Sequence, residues 1–215
     1  YETCSPLPDQ SGWEPWNDNP ARADFYATHA QSHSGSNAVA IDNEDGAVYR
    51  LNGYTEGVWD FSARLYVPQE MDDDQTFILL NTYPAPENCH QSLRLRIKGG
   101  LGVIRDIETQ AERPLVKGDW SEIKVVIDLD QDQQSVYYNG DLLVTKSWTA
   151  GVEEGGALNI AAIDLWAYHS PHVVYYDDIP LTPSAGAPCP ADIDGDGDVD
   201  TADLLALLAA WGACP

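Results

Sequence analysis

Apolar and polar residues alternate through much of the chain. Trp59, Phe61, Ala63, Leu65 and Val67 fall between Asp60, Ser62, Arg64 and Tyr66. Leu93, Leu95 and Ile97 are set against Arg94, Arg96 and Lys98. Ile123, Val125, Ile127 and Leu129 are set against Lys124, Val126 and Asp128. A period of two places one side-chain set on a core and the other towards water, so each run predicts a half-buried strand. Residues 157–167 (ALNIAAIDLWA) are nearly all apolar, which predicts a strand covered on both faces. Asn139-Gly140 stands between Ser135–Tyr138 and Asp141–Lys146, the strongest short-range signal for a hairpin. Further strands are expected near 37–41, 47–51, 76–83, 101–107 and 172–181, and no helical period occurs before residue 190. So many short strands separated by turn signals predict a mainly β chain folded as a sandwich.

The pattern changes after residue 181. Residues 182–188 (TPSAGAP) read as a linker, dividing a sandwich over 1–181 from a tail over 189–215. The tail holds six Asp and no Lys or Arg. From Ala202 its periodicity is helical: Leu204, Leu207, Leu208 and Trp211 share one face, Thr201 is placed to cap the helix, and Gly212 to end it.

Composition narrows the function. The chain has 215 residues and a formal net charge of −24, so it lacks the positive field that nucleic acid or an anionic membrane surface requires. No apolar run reaches the roughly 20 residues that a spanning helix needs. Seven Trp and eleven Tyr against three Phe favour half-exposed aromatic surfaces. A chain that opens at Tyr1 and carries four cysteines is expected to be a mature extracellular protein whose leader was removed. Three disulfide connectivities are open. Cys4–Cys89 with Cys189–Cys214 is preferred, because the second pair brackets the tail; free buried thiols are the alternative.

The most specific chemistry lies in Asp192-Ile-Asp-Gly-Asp-Gly-Asp-Val-Asp-Thr-Ala-Asp203. Ca2+ takes 6–8 oxygen ligands, and a twelve-residue loop supplies them from positions 1, 3, 5, 7, 9 and 12 around a Gly at position 6. Those positions hold Asp192, Asp194, Asp196, Asp198, Asp200 and Asp203, with Gly197 at the sharp turn and Val199 as an apolar pin. Asp198 would give its backbone carbonyl and Asp200 would act through water. A calcium loop with only an exit helix, closing in Asp and followed by Leu-rich turns, resembles a type I dockerin repeat. That resemblance implies docking into a cohesin-like partner through Leu204, Leu207, Leu208 and Trp211. Dockerins usually carry two repeats and this chain has one, so its apolar helix face needs a partner. The alternatives are the sandwich, a receptor or another copy of the chain.

Other stretches resemble carbohydrate-binding jelly rolls: His33-Ser-Gly-Ser-Asn-Ala-Val-Ala-Ile41 an early strand, and Val174-Tyr-Tyr-Asp-Asp-Ile179 the closing strand. Trp120–Ile127 with Val136–Leu143 is similar to the central hairpin of laminin-G-like and concanavalin-like sandwiches. The resemblance implies a jelly roll that binds or cleaves sugar. It also implies a second cation at Asp177 and Asp178, the other reading being a polar pair at a strand end. Trp13, Trp16 and Trp148 lie in turn-like segments and are candidate stacking platforms for a glycan, or else pack under loops. No catalytic residue is nominated. The E-x-D-x-x-E pattern of concanavalin-like glucanases is absent, and the nearby acids Asp106/Glu108, Glu56/Asp60 and Asp128/Asp130/Asp132 form no motif. His90, Gln91, Arg94 and Arg96 are the residue types of jelly-roll lyases without the surrounding motif. The sequence therefore predicts a non-catalytic adhesion or assembly protein. Its sandwich would meet polysaccharide or protein, and its tail would join a protein partner, with a filament or surface layer of copies as one outcome. A dockerin-anchored glycosidase or lyase is the alternative.

Overall fold

The computed structural model describes residues 12–43, 45–83, 89–153, 155–167, 170–184 and 201–209. The chain divides into two compact units, Tyr1–Thr182 and Pro183–Pro215. Among the described residues no helix is long and apolar enough to cross a membrane.

The first unit is a sandwich of two antiparallel sheets. Its strands are β1 (Trp13–Pro15), β2 (Tyr26–Thr28), β3 (Ala38–Ile41), β4 (Gly46–Arg50), β5 (Val58–Tyr66), β6 (Asp74–Thr82), β7 (His90–Lys98) and β8 (Val103–Asp106). They continue with β9 (Glu112–Pro114), β10 (Trp120–Asp128), β11 (Gln133–Tyr138), β12 (Asp141–Ser147), β13 (Ala162–Ala167), β14 (Val174–Asp177) and β15 (Leu181–Pro183). One sheet runs β1-β4-β13-β6-β7-β8-β9. The other runs β12-β11-β10-β5-β14-β3-β2, with β15 also on β5. β6-β7-β8-β9 and β10-β11-β12 follow the chain as successive hairpins, whereas β1-β4-β13-β6 and β10-β5-β14-β3 join sequence-distant strands. β3 pairs with β14, which sets the two jelly-roll-like segments side by side.

The alternating runs became strands for the expected reason. Phe61, Ala63 and Leu65 of β5 and Ile123, Val125 and Ile127 of β10 are fully buried between the sheets. They meet Phe77 and Leu79 of β6 and Leu93, Leu95 and Ile97 of β7 across the core. Asn139 (φ 50) and Gly140 (φ 83) both adopt the left-handed conformation that a tight two-residue hairpin needs, and so close β11 onto β12. The strands without a sequence signal, β1, β2 and β9, have three residues each, too few to show a period.

One flank of the sandwich is fastened by charge. Lys146 Nζ on β12 lies 2.7 Å from Asp106 Oδ1 on β8 and 2.7 Å from Glu108 Oε2, with Asp106 fully buried. Arg113 of β9 donates to the Leu142 carbonyl of β12, so the last strands of the two sheets are tied directly. Asp106 and Glu108 thus share one lysine.

In the second unit, Thr201–Ala209 forms the helix α1, and Leu204, Leu205, Leu207 and Leu208 are exposed. Trp211 and the loop residues Asp192, Asp194, Asp196, Asp198 and Asp200 lie outside the described residues, and Asp203 is described only as part of the helix backbone.

Candidate functional site

Of the three tryptophans proposed as platforms, one is in a position to serve. Trp148 is fully buried, in keeping with the reading that it packs under a loop. Asp132 holds the turn after β12, accepting from Thr149 N at 2.8 Å and Ser147 Oγ at 2.8 Å. That turn sends the indole inward, where Nε1 donates to the Asn159 carbonyl at 2.9 Å. Trp13 is also buried, at 7% exposure, and packs its ring 5.4 Å from Tyr49. It lines an apolar cavity of about 350 Å³ with Tyr54, Phe61, Ile179 and Leu181. Trp16 is half-buried and faces a cleft of about 210 Å³ on the outer face of the seven-stranded sheet.

Register explains how that cleft is built. Asp164 of β13 lies opposite Val48 of β4 and Ile78 of β6, and Ile78 lies opposite Arg94 of β7. The row Val48, Asp164, Ile78, Arg94 therefore crosses four strands on one face. Trp166, two residues from Asp164, shares that face because side chains repeat every second residue. Val48, Ile78, Leu80 and Ala162 form a second, smaller apolar cluster there, with Trp16, Tyr83, Cys89 and Trp166 packed around it.

The cover is a pair of short 3-10 turns, Trp16–Asp18 and Pro20–Arg22. Asn17 (φ 55) and Asp18 (φ 54) bend the chain in the left-handed region, which Asn and Asp tolerate better than most residues. Pro20 opens the second turn and Asn19 Oδ1 caps it, accepting from Ala21 N at 3.1 Å. Gly46 lets the cover settle: a Cβ at that position would come within 3.1 Å of Trp16 Cβ. Trp16 rests 5.5 Å from the Tyr83 ring, and Arg22 sits 5.9 Å over Trp166.

At the floor lies Asp164, 4% exposed, with Oδ1 buried and without a hydrogen-bond partner. Burial pushes its pKa up to about 7, against the pull of Arg22 and Arg94 in the opposite direction. Arg94 is steered by Gln91, whose Oε1 accepts from Nε at 2.6 Å, and Glu153 lies 3.8 Å from its other end. Burial likewise pushes Tyr83 up to about 12, so its phenol stays protonated at neutral pH. The arrangement offers two partly exposed indoles, two guanidiniums and one buried carboxyl around a single cleft. Asp164, Arg22 and Trp166 are not among the site residues that the sequence nominates. Asp164 did leave a signal, a lone charge inside the apolar run 157–167. Nothing in the sequence connects residue 22 to that run.

The remaining expected sites have other partners. Asp177 Oδ2 accepts from His33 N at 2.8 Å and Ser34 N at 3.1 Å. Asp178 takes His33 Nδ1 at 2.6 Å and Ser34 Oγ. Burial acts to raise Asp178, but those hydrogen bonds prevail and hold it below the usual carboxylate range. The pair fastens the His33–Ser34 turn to the closing strand. Asp132 caps its turn, and Asp60 pairs with Lys124 at 2.7 Å. Asp72, Asp73 and His172 bring ligand atoms within 4.8 Å of one another, joined by a 3.0 Å contact between His172 Nδ1 and Asp73 Oδ2. Cys89 is a free, half-buried thiol, so the bridge expected from it to Cys4 is not formed; burial pushes its pKa up to about 11. Cys4, Cys189 and Cys214 lie outside the described residues.

No family model matches the chain, and no curated protein matches it. Solved structures do share its fold. An endo-β-1,4-glucuronan lyase from the fungus Trichoderma reesei superposes with a TM-score of 0.57 at 11% identity, over 87% of this chain and 95% of that one. A sialidase superposes with a TM-score of 0.56 at 11% identity over 85% of this chain, which spans 18% of the sialidase. A candidate glycosyl hydrolase from Parabacteroides distasonis gives 0.51 at 12% identity, over 81% of this chain and 89% of that one. At such identities the likeness is one of fold.

Proposed function

We propose that this protein is an extracellular, non-catalytic glycan-binding and assembly protein. In this reading the outer face of the seven-stranded sheet holds a saccharide, and the calcium tail joins the protein to a cohesin-like partner or to another copy. The observation that carries the glycan reading is the cleft itself. Trp16 and Trp166 present half-buried indoles around the buried Asp164 carboxyl. A sugar ring offers C–H faces to aromatic planes and hydroxyls to a convergent polar group, so this is the lining it requires. Solved folds of the same architecture include proteins named for glucuronan and glycoside cleavage, which is consistent with a saccharide on such a face.

Binding is favoured over hydrolysis because the described cleft lining contributes one carboxyl, Asp164, whereas glycoside hydrolysis assigns separate acid and base or nucleophile roles to two. The lyase alternative draws on Tyr83, Gln91 and Arg94 around the same cleft. A phenol held protonated supplies an acid there, not the base that abstraction needs.

For the tail, six Asp at calcium-loop spacing support Ca2+ as its ligand, since carboxylate oxygens suit a hard cation. In this reading the exposed Leu204, Leu207 and Leu208 of α1 are the docking face.

Binding is tested by calorimetry of the full chain against a panel of neutral and acidic polysaccharides. Trp16→Ala and Trp166→Ala are each expected to weaken binding by about tenfold or more. Unchanged affinity in both variants, or no binding across the panel, sinks the glycan reading. Release of unsaturated uronate ends from any member would replace it with the lyase.

A further inference from the structure

The cleft's charge identifies the sugar more closely, an inference that rests on the glycan-binding reading. We propose that this cleft is a subsite for a carboxylated sugar unit, a uronate, whose carboxylate lies between Arg22 and Arg94 and hydrogen-bonds to Asp164.

Three observations carry the assignment. First, the chain has a net charge of −24, yet the described cleft lining places two guanidiniums against one carboxyl, with Glu153 outside that lining 3.8 Å from Arg94. A cationic spot on so acidic a protein focuses anions where the rest of the surface repels them. Second, Asp164 is buried with Oδ1 unpartnered, and an unsatisfied buried oxygen is costly unless a ligand completes it. Third, Gln91 fixes the Arg94 guanidinium on the rim before any ligand arrives, which lowers the entropy lost on binding.

A carboxylate can share a proton with Asp164, and a sulfate ester cannot hold one at these pH values. Burial already keeps the Asp164 proton until about neutrality. A second carboxylate beside it strengthens that hold, since two adjacent carboxyls do not both ionise readily. Binding above neutrality therefore takes up one proton. The other titratable groups acting on Asp164 come from three sides. Arg22 and Arg94 lower it, and Glu153 bears on Arg94 from the loop after β12. Cys89 beside the face, and Tyr176 from the core side, are both pushed up, in part by Asp164. β4 and β6 contribute the uncharged Gly46, Val48, Thr76 and Ile78 next to it.

The test uses the full chain and calorimetry from about pH 5 to about pH 9, with oligoglucuronate, sialyllactose and a neutral cello-oligosaccharide as probes. The expected result is preference for the oligouronate, with affinity falling about tenfold per pH unit above neutrality, the slope for one linked proton. Asp164→Asn, which is uncharged at every pH, should still bind and should flatten that slope. Arg94→Gln should lower uronate affinity about tenfold more than it lowers affinity for the neutral probe. Stronger binding of sialyllactose with the same slope keeps the carboxylate subsite and reassigns its sugar. Equal affinity for neutral and acidic probes, or a slope that persists in Asp164→Asn, overturns the subsite and leaves glycan binding intact. Failure of every probe to bind overturns the glycan reading itself.

Discussion

The outer faces of the two sheets meet water in opposite ways. On the eight-stranded sheet, β10 alternates strictly and β5 does so from Asp60 onward, and their outward residues pair across strands: Arg64 with Glu122 at 3.1 Å and Lys124 with Asp60 at 2.7 Å. Tyr66, Trp120, Tyr175 and His33 form a ring cluster beside them. That face is complete as a surface. On the seven-stranded sheet, β6 is buried on both sides from Gln75 to Asn81, and β13 is nearly so. Such strands need a cover, and the Trp16–Arg22 segment supplies it over part of the face only. Where the cover ends, apolar floor, indoles and a desolvated carboxyl are left around a cleft. A sheet face that lacks alternation thus marks where the fold depends on a cover and where a ligand can extend it.

The contrast can be broken by experiment. The largest effect is expected for Ile78→Ala, which empties the buried outer face and should cost about 2–5 kcal/mol, while Val126→Ala on the other face should cost less than about 1 kcal/mol. Urea unfolding of both variants decides it, and equal costs would mean that the two faces are alike.

Next comes Asp164→Asn. A carboxyl whose folded pKa is raised contributes stability while protonated, fully present below about 4, and loses it as pH rises towards its folded value of about 7. The native chain should therefore lose up to about 4 kcal/mol across that window, and Asp164→Asn should lose little of it. Melting curves across pH test this; parallel profiles for the two proteins would show that Asp164 titrates as an ordinary surface acid.

A smaller effect is expected on the charged face. Lys124→Met should change stability by no more than about 1 kcal/mol, because its partner Asp60 is partly exposed and such pairs are screened. The smallest is kinetic. Cys89 borders the covered face with a pKa near 11, so it should react with a thiol reagent far more slowly at neutral pH than a free cysteine does, and Trp16→Ala should speed the reaction by uncovering it.

Most of the sandwich was legible because alternation encodes one-sided burial directly, as in β5, β7 and β10. The hairpin at Asn139-Gly140 was legible because few residues tolerate its backbone. The edge strands β1, β2 and β9 were not, since three residues carry no period and Pro15 and Pro114 read as breakers. The tryptophans show a different limit. A turn-like neighbourhood suggested exposure for Trp13, Trp16 and Trp148, but direction is set by distant partners such as Asp132 and Asn159. The cleft joins residues 16, 22, 94, 164 and 166 through strand order, which no local pattern reports. Trp16, Gln91 and Arg94 stood out singly in the sequence, and Asp164 is a misplaced charge in an apolar run, but no local pattern joins them.

The fastening along β9 and β12 has a consequence for life among many copies. A terminal strand exposes main-chain donors and acceptors on which foreign chains can add, the usual start of amyloid-like stacking. Arg113 takes up the Leu142 carbonyl on one such rim, and Lys146 draws the same strand towards Asp106 and Glu108. These contacts help to keep that rim closed to uncontrolled strand addition.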